Sequence, residues 1–223
     1  MVEIVYVDNH ILVLNKPAGM LTQPNDTDDL SLESWGKSWL KERFQKQGNV
    51  FLTAVHRLDR PVSGLVLFAR TSKALSRLNE AQRNQQFYKE YCALTEGRFA
   101  EHSGALEHDL KRSAYCSYVV DKKSSGTKKC LLTYHALQNF KGCTLLKITL
   151  QTGRYHQIRV QLAAAGHPIF GDQKYGSKQA SEFLFLHHAL LVFPHPITQE
   201  QVQCRAPFPL HWHRLGISLS SCS

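Results

Sequence analysis

The sequence predicts an α+β fold. Three observations carry that expectation: apolar residues at helical spacing within 32–44 and 74–78, strict apolar alternation within 144–151, and no regular strand–helix–strand rhythm of the kind that builds a parallel sheet. A chain of 223 residues can bury a core as one domain or as two lobes of one. No repeat, low-complexity tract or long linker divides it.

Taken in order, Glu3 to Asp8 and Ile11 to Asn15 read as strands around an Asn9-His10 turn. Leu32, Trp35, Trp39, Leu40 and Phe44 recur at helical spacing behind the cap candidates Asp29 and Ser31. That places both tryptophans in the core rather than on a base-stacking face. Leu65 to Ala69 is a short apolar strand. Thr71 or Ser72 then caps a helix that turns Ala74, Leu75 and Leu78 inward. Leu146, Ile148 and Leu150 alternate along a half-buried strand. After the Thr152-Gly153 turn, Ile158, Leu162 and Ala165 mark one side of a helix closed by Gly166 and Pro168.

Several function classes drop out. Charged residues at 20% and hydrophobic residues at 43% fit a globular chain. Apolar runs such as Ile11–Leu14 and Phe183–Leu186 are too short to span a bilayer, and Glu3, Asp8 and Lys16 leave no signal-peptide core. The expectation is a soluble cytoplasmic protein with no membrane partner. The six cysteines form no C-x-x-C pair and read as reduced thiols. The twelve histidines, including His187-His188 and His211-Trp-His213, lack the spacing of a metal motif. No metal is expected. Glycine-rich phosphate loops are missing, since Gly126-Thr-Lys-Lys has the wrong order, and Pro61-Val-Ser63-Gly64 lacks the flanks of a nucleophile elbow. No nucleotide or other cofactor is expected.

A formal charge of +9 and a pI near 9.3 favour a polyanionic partner, although solubility charge alone explains as much. Lys111, Arg112, Lys122, Lys123, Lys128 and Lys129 cluster with Tyr115 and Tyr118 around a flexible tip at Ser124-Ser125-Gly126. A basic loop carrying aromatics suits a nucleic-acid backbone with bases exposed for stacking. The densest segment is His56-Arg57-Leu58-Asp59-Arg60-Pro61-Val62-Ser63-Gly64, where two arginines bracket Asp59 at the mouth of a strand. A surface ion pair is the bland reading. The functional one is a carboxylate kept ionised by cations and available as a nucleophile.

His56-Arg-Leu-Asp59-x-x-x-Ser-Gly64 resembles the signature of the RluA family of RNA pseudouridine synthases. Other family-like stretches follow in order over nearly the whole chain. They are Asn15-Lys-Pro17-Ala-Gly19, Lys89-Glu-Tyr91-Cys-Ala93-Leu, Gly153-Arg-Tyr-His156-Gln-Ile-Arg159-Val, and Gly166-His-Pro-Ile-Phe-Gly171-Asp172-x-x-Tyr175-Gly176. Leu186-His-His-Ala189, His195-Pro196 and Ala206-Pro207 complete the set. The sequence departs from the family at Val62, where many members have threonine, at Tyr155, where threonine or serine is common, and at His188-Ala189, where a single His-Ala is usual.

The resemblance implies a mixed, mostly antiparallel central sheet with flanking helices and a basic RNA-binding cleft. Residues 1–223 would form a single catalytic domain without an amino-terminal S4-type domain. The reaction would turn uridine in a structured tRNA or rRNA stem-loop into pseudouridine, by a monomer without cofactor. By similarity, Asp59 is the essential carboxylate and Arg159 is its basic partner. Tyr91 packs on the target base, Leu186 lines the uracil pocket, and Arg57 enters the space left by the flipped-out nucleotide. The basic segment 111–129 corresponds to a mobile loop around the RNA. Two rivals are a catalytically silent RNA-binding protein that kept the fold, and a glycosidase using Asp59 with Asp172, a residue whose context suggests a structural turn.

Overall fold

The computed structural model describes residues 1–26, 29–121, 125–215 and 217. The chain divides into two compact units, each assembled from separate stretches: Met1–Tyr88 with His188–Pro209, and Lys89–His187 with the chain from Leu210.

In the first unit, β1 (Glu3–Val7) pairs antiparallel with β2 (Ile11–Lys16). The Asp8 carboxylate closes the turn by accepting from the His10 and Ile11 amides at 2.8 Å each. Strand β2 runs antiparallel to β4 (Ser63–Ala69), whose seven residues are all buried, and the short β3 (Thr53–Ala54) also pairs with β4. Helix α1 (Leu32–Arg43) starts at Ser31, whose hydroxyl accepts from Ser34 N–H. Its buried stripe is Leu32, Gly36 and Leu40; Trp35 and Trp39 are only half-buried and Phe44 is exposed. The expected aromatic core face is therefore aliphatic. A Cβ at Gly36 would meet Leu52 Cδ2 at 2.7 Å, so this face packs too closely for indoles. Helix α2 (Ser72–Arg83) is capped by Thr71 and buries Ala74 and Leu78. They join Ile11, Val13, Leu65, Leu67, Leu191 and Phe193 in one core cluster. Truncating a residue such as Leu67 to alanine would cost about 2–5 kcal/mol.

The second unit is an antiparallel ladder: β5 (Tyr88–Glu96), β9 (Cys143–Leu150), β8 (Thr127–Phe140), β6 (Ser103–Arg112) and β7 (Ser117–Val120) lie in that spatial order. Helix α3 (Gln157–Ala164) packs against this ladder through Val160, Leu110 and Cys130. Its residues 157–162 are all buried, so the expected one-sided stripe is a helix enclosed on every side. Strand β10 (Leu186–Pro194) carries the chain back into the first unit, where β11 (Gln201–Arg205) pairs with it antiparallel; the short α4 (Leu210–His213) follows. Among the described residues no helix is long and apolar enough to cross a membrane.

Candidate active site

The chain enters β4 through a turn in which Val62 N–H donates to the Asp59 carbonyl at 3.0 Å. Both neighbours of Asp59 are tied down through their backbones. Leu58 N–H donates to Thr22 Oγ1 at 3.1 Å, and the same hydroxyl donates to the Leu58 carbonyl at 2.9 Å. The Arg60 carbonyl accepts from Gly19 N–H at 2.8 Å and from Lys16 Nζ at 3.1 Å. Held this way, the Asp59 side chain is half-buried while Arg57 stays exposed. The Arg60 side chain turns back to the Gly19 carbonyl and pairs with Asp29 at 3.0 Å. That pair is solvated and adds little stability.

Lys16 is the residue in this region that the sequence reading gave no role. It is wholly buried, and its Nζ donates to the Pro17, Met20 and Arg60 carbonyls at 3.1, 2.8 and 3.1 Å. Burial pulls its ammonium down to about 7; the negative charge of Asp59 works in the opposite direction and Arg60 adds to the depression. A buried cation therefore acts electrostatically on the candidate carboxylate. The available signal was a lysine closing an apolar strand, since lysines are almost never fully buried without a partner.

Histidines fix the start of β4. His188 is fully buried and donates Nδ1–H to the Leu65 carbonyl at 2.7 Å. The His56 ring stands edge-on to it at 5.4 Å and accepts from Leu67 N–H at Nε2. Gly64 has φ +115°, and a Cβ there would fall 2.4 Å from the His188 carbonyl oxygen. Only glycine fits this approach.

In the second unit Arg159 is 6% exposed, not the solvated helix charge its position alone suggests. Its Nε and Nη2 donate to Asp172 Oδ2 and Oδ1 at 2.8 and 2.7 Å, a bidentate fork. Its Nη1 lies 3.3 Å from His156 Nε2, and its guanidinium carbon sits 5.1 Å from the Tyr175 ring centroid. Asp172 does begin a turn, its carbonyl accepting from Tyr175 and Ser177 N–H. Its carboxylate also holds the arginine, a role no spacing announced at a separation of 13 residues. With both oxygens committed and 1% exposure, Asp172 is not the free second acid a glycosidase needs.

Tyr91 lies on β5 opposite Ile148 and is 6% exposed; Leu186 opens β10 and is 3% exposed. Of the basic segment, Lys111 and Arg112 end β6, and Lys128 and Lys129 lie in the first residues of β8, so both ends of the expected loop are paired strands. Lys129 pairs with Glu107 at 2.6 Å on the surface. The Arg112 guanidinium carbon lies 4.5 Å from the Tyr155 ring centroid. Lys122 and Lys123, with Ser124 of the expected tip, lie outside the described residues.

A family model described as RNA pseudouridylate synthase matches residues 10–164. "Ribosomal large subunit pseudouridine synthase C" of Yersinia pestis is 36% identical over 213 residues, covering 92% of this chain and 65% of that protein. The chain thus spans slightly less than two thirds of that relative. "Dual-specificity RNA pseudouridine synthase RluA" of Pasteurella multocida is 34% identical over 213 residues, 92% of each chain. Among solved structures, human RNA pseudouridylate synthase domain containing 4 superposes with a TM-score of 0.80 at 22% identity, over 96% of this chain and 92% of that one. That likeness supports the mostly antiparallel α+β fold. Because the family match covers well over half the residues and a relative matched over 92% of its own length is 34% identical, the chain belongs to the RNA pseudouridylate synthase family.

Proposed function

We propose that the protein converts uridine to pseudouridine in structured RNA, with Asp59 as the essential carboxylate. The observation that carries the reading is the Asp59 turn. Its backbone is pinned on both sides, a buried lysine acts on its charge, and its side chain is left half-buried at the mouth of β4. Such a carboxylate is fixed in place before substrate arrives, which is what a positioned catalytic group requires.

In the reaction the N-glycosidic bond breaks, the uracil turns, and C5 bonds to the ribose C1′ while its proton is lost and N1 gains one. Nothing is consumed, so the chemistry asks for a carboxylate and a shaped site. A stacked uridine must first leave the helix, at a cost of about a few kcal/mol. Arg57, exposed beside Asp59, is the group assigned to the vacancy. Tyr91 and Leu186 are assigned to the uracil, Arg159 to the Asp59 carboxylate, and the basic strand ends at Lys111, Arg112, Lys128 and Lys129 to the RNA backbone.

Large-subunit ribosomal RNA is the first substrate to test, since that is what the Yersinia relative's name specifies; tRNA is the second. RNA carrying 5-tritiated uridine should lose tritium with the wild-type protein. It should lose none with Asp59→Asn, which should still bind the RNA. Tritium release by that variant would overturn the assignment, and a wild-type protein that binds without release would establish the silent RNA-binding alternative.

A further inference from the structure

His156 combines three features that its place in the sequence does not explain. It has φ +56°. Of the five non-glycine residues with positive φ among those described, it alone is buried. The others are exposed and sit where strain is cheaply relieved. A buried side chain kept in this conformation is over-determined by its surroundings, and such outliers concentrate where geometry serves function.

Its surroundings are specific. The ring stacks on Tyr155 with centroids 3.9 Å apart and planes 21° apart, and the exposed Arg112 guanidinium carbon lies 4.5 Å from the Tyr155 centroid. Tyr155 is itself anchored, its carbonyl accepting from the Ser117 hydroxyl at 2.7 Å. On the inner side, Nε2 lies 3.3 Å from Arg159 Nη1 and Nδ1 lies 2.7 Å from the Tyr175 hydroxyl.

Arginine offers only donors, so Nε2 must accept; the ring proton then resides on Nδ1 and is donated to Tyr175. The Tyr175 oxygen also accepts from Ser117 N–H at 2.9 Å. Burial pushes the Tyr175 phenol up to about 12, so it remains a neutral hydroxyl at working pH. Asp172 holds Nε and Nη2 of the Arg159 fork, and His156 meets the same guanidinium at Nη1.

We propose that His156 is a positioning residue: its ring, flanked by Tyr155 and Tyr175, orients the Arg159 guanidinium through Nη1. The stack also gives the basic strand end at Arg112 a rigid connection to Arg159 through two aromatic rings. The kinetic part of this inference rests on the proposed synthase activity, whereas the geometric part does not.

The test is His156→Asn. Asparagine tolerates positive φ, and its amide N–H can take the Nδ1 place toward Tyr175, but it leaves the Nε2 place empty. The melting temperature should stay within a few degrees and the RNA Kd within about twofold, while the single-turnover rate falls at least about tenfold. His156→Gln, whose amide oxygen reaches the Nε2 place, should recover part of that loss. Should the first variant not fold, Tyr175→Phe keeps the ring beneath Arg159, removes the acceptor for Nδ1–H, and should slow the same step by about threefold or more. Independently of turnover, the Arg159 Nη1 NMR resonance should shift in His156→Asn and in Tyr175→Phe, while the Nε resonance, held by Asp172, stays in place. A folded variant with the wild-type rate, or with unchanged Arg159 resonances, overturns the proposal. If the wild-type protein itself forms no pseudouridine, the functional assignment fails while the NMR comparison still decides the role of His156.

Discussion

Asp59 and Arg159 are held in opposite ways. Around Asp59 the fixing bonds run to main-chain atoms of Leu58, Arg60 and Val62, with Thr22 and Lys16 as the clamps. Around Arg159 they run from side chain to side chain, through Asp172, His156 and Tyr175. A backbone clamp survives a change of the residue it presents. A side-chain network does not, because each deletion strands a partner inside the protein. The first region should therefore separate chemistry from stability, and the second should not.

The largest separation is expected at Asp59→Asn. Pseudouridine formation should fall below detection while stability, read by urea unfolding, changes by less than about 1 kcal/mol. A large loss of stability would show that the backbone bonds do not suffice. Asp172→Ala should do the reverse. It leaves the Arg159 charge buried without its fork and should cost about 3–5 kcal/mol, visible in the same unfolding curves. A stable Asp172→Ala protein would end the contrast.

Lys16 offers a finer test because two pH effects oppose each other. Its folded-state value of about 7 lies below its ordinary 10.5, so the unfolded chain holds the extra proton over that interval. Stability contributed by this group should therefore rise as pH climbs from about 7 towards 10. Over the same range the Lys16 charge that acts with Asp59 is lost, so the single-turnover rate should decline. In Lys16→Arg, whose charge persists, that decline should move to higher pH; an unchanged limb would remove Lys16 from the site's electrostatics. The smallest effect is expected from charge reversal at Lys122 and Lys123. The KM for RNA should rise, more steeply at low salt, with the single-turnover rate little altered. A change confined to the rate would reassign that segment.

The sequence was most legible where one property decided the structure. Apolar spacing located β1, β2, β4, β9, α2 and the extent of α1, and the ordered motifs isolated Asp59 and Arg159. It was least legible where two properties competed. Strand β6 alternates exposed and half-buried positions before the buried Leu110, and β8 buries only Cys130 and Leu132 among half-buried and exposed residues, so neither shows a sustained apolar face that a pattern would detect. Strand β10 hides His187 and His188 at 0% exposure, and buried histidines read as a break in an apolar run. In α3 the polar Gln157, Arg159 and Gln161 are as enclosed as Ile158 and Leu162, because hydrogen bonds rather than water satisfy them. Gln161, for example, donates to the Leu106 carbonyl at 2.8 Å. No periodicity distinguishes a satisfied buried amide from a solvated one. The burial of Lys16 and the grip of Asp172 on Arg159 were illegible for the same reason.

Leu191, Phe193, Cys204 and Ala206 pack in the same cluster as Ile11, Leu65 and Leu67. A ribosome synthesising this chain releases the Asp59 turn long before it supplies the residues that complete the apolar interior behind β4. The nascent amino-terminal stretch must wait, with Leu65 to Ala69 uncovered, while about a hundred further residues emerge and form the intervening ladder. Chains arrested ahead of residue 188 would carry every group of the Asp59 turn and lack the interior that fixes it, so premature termination yields no partially competent product.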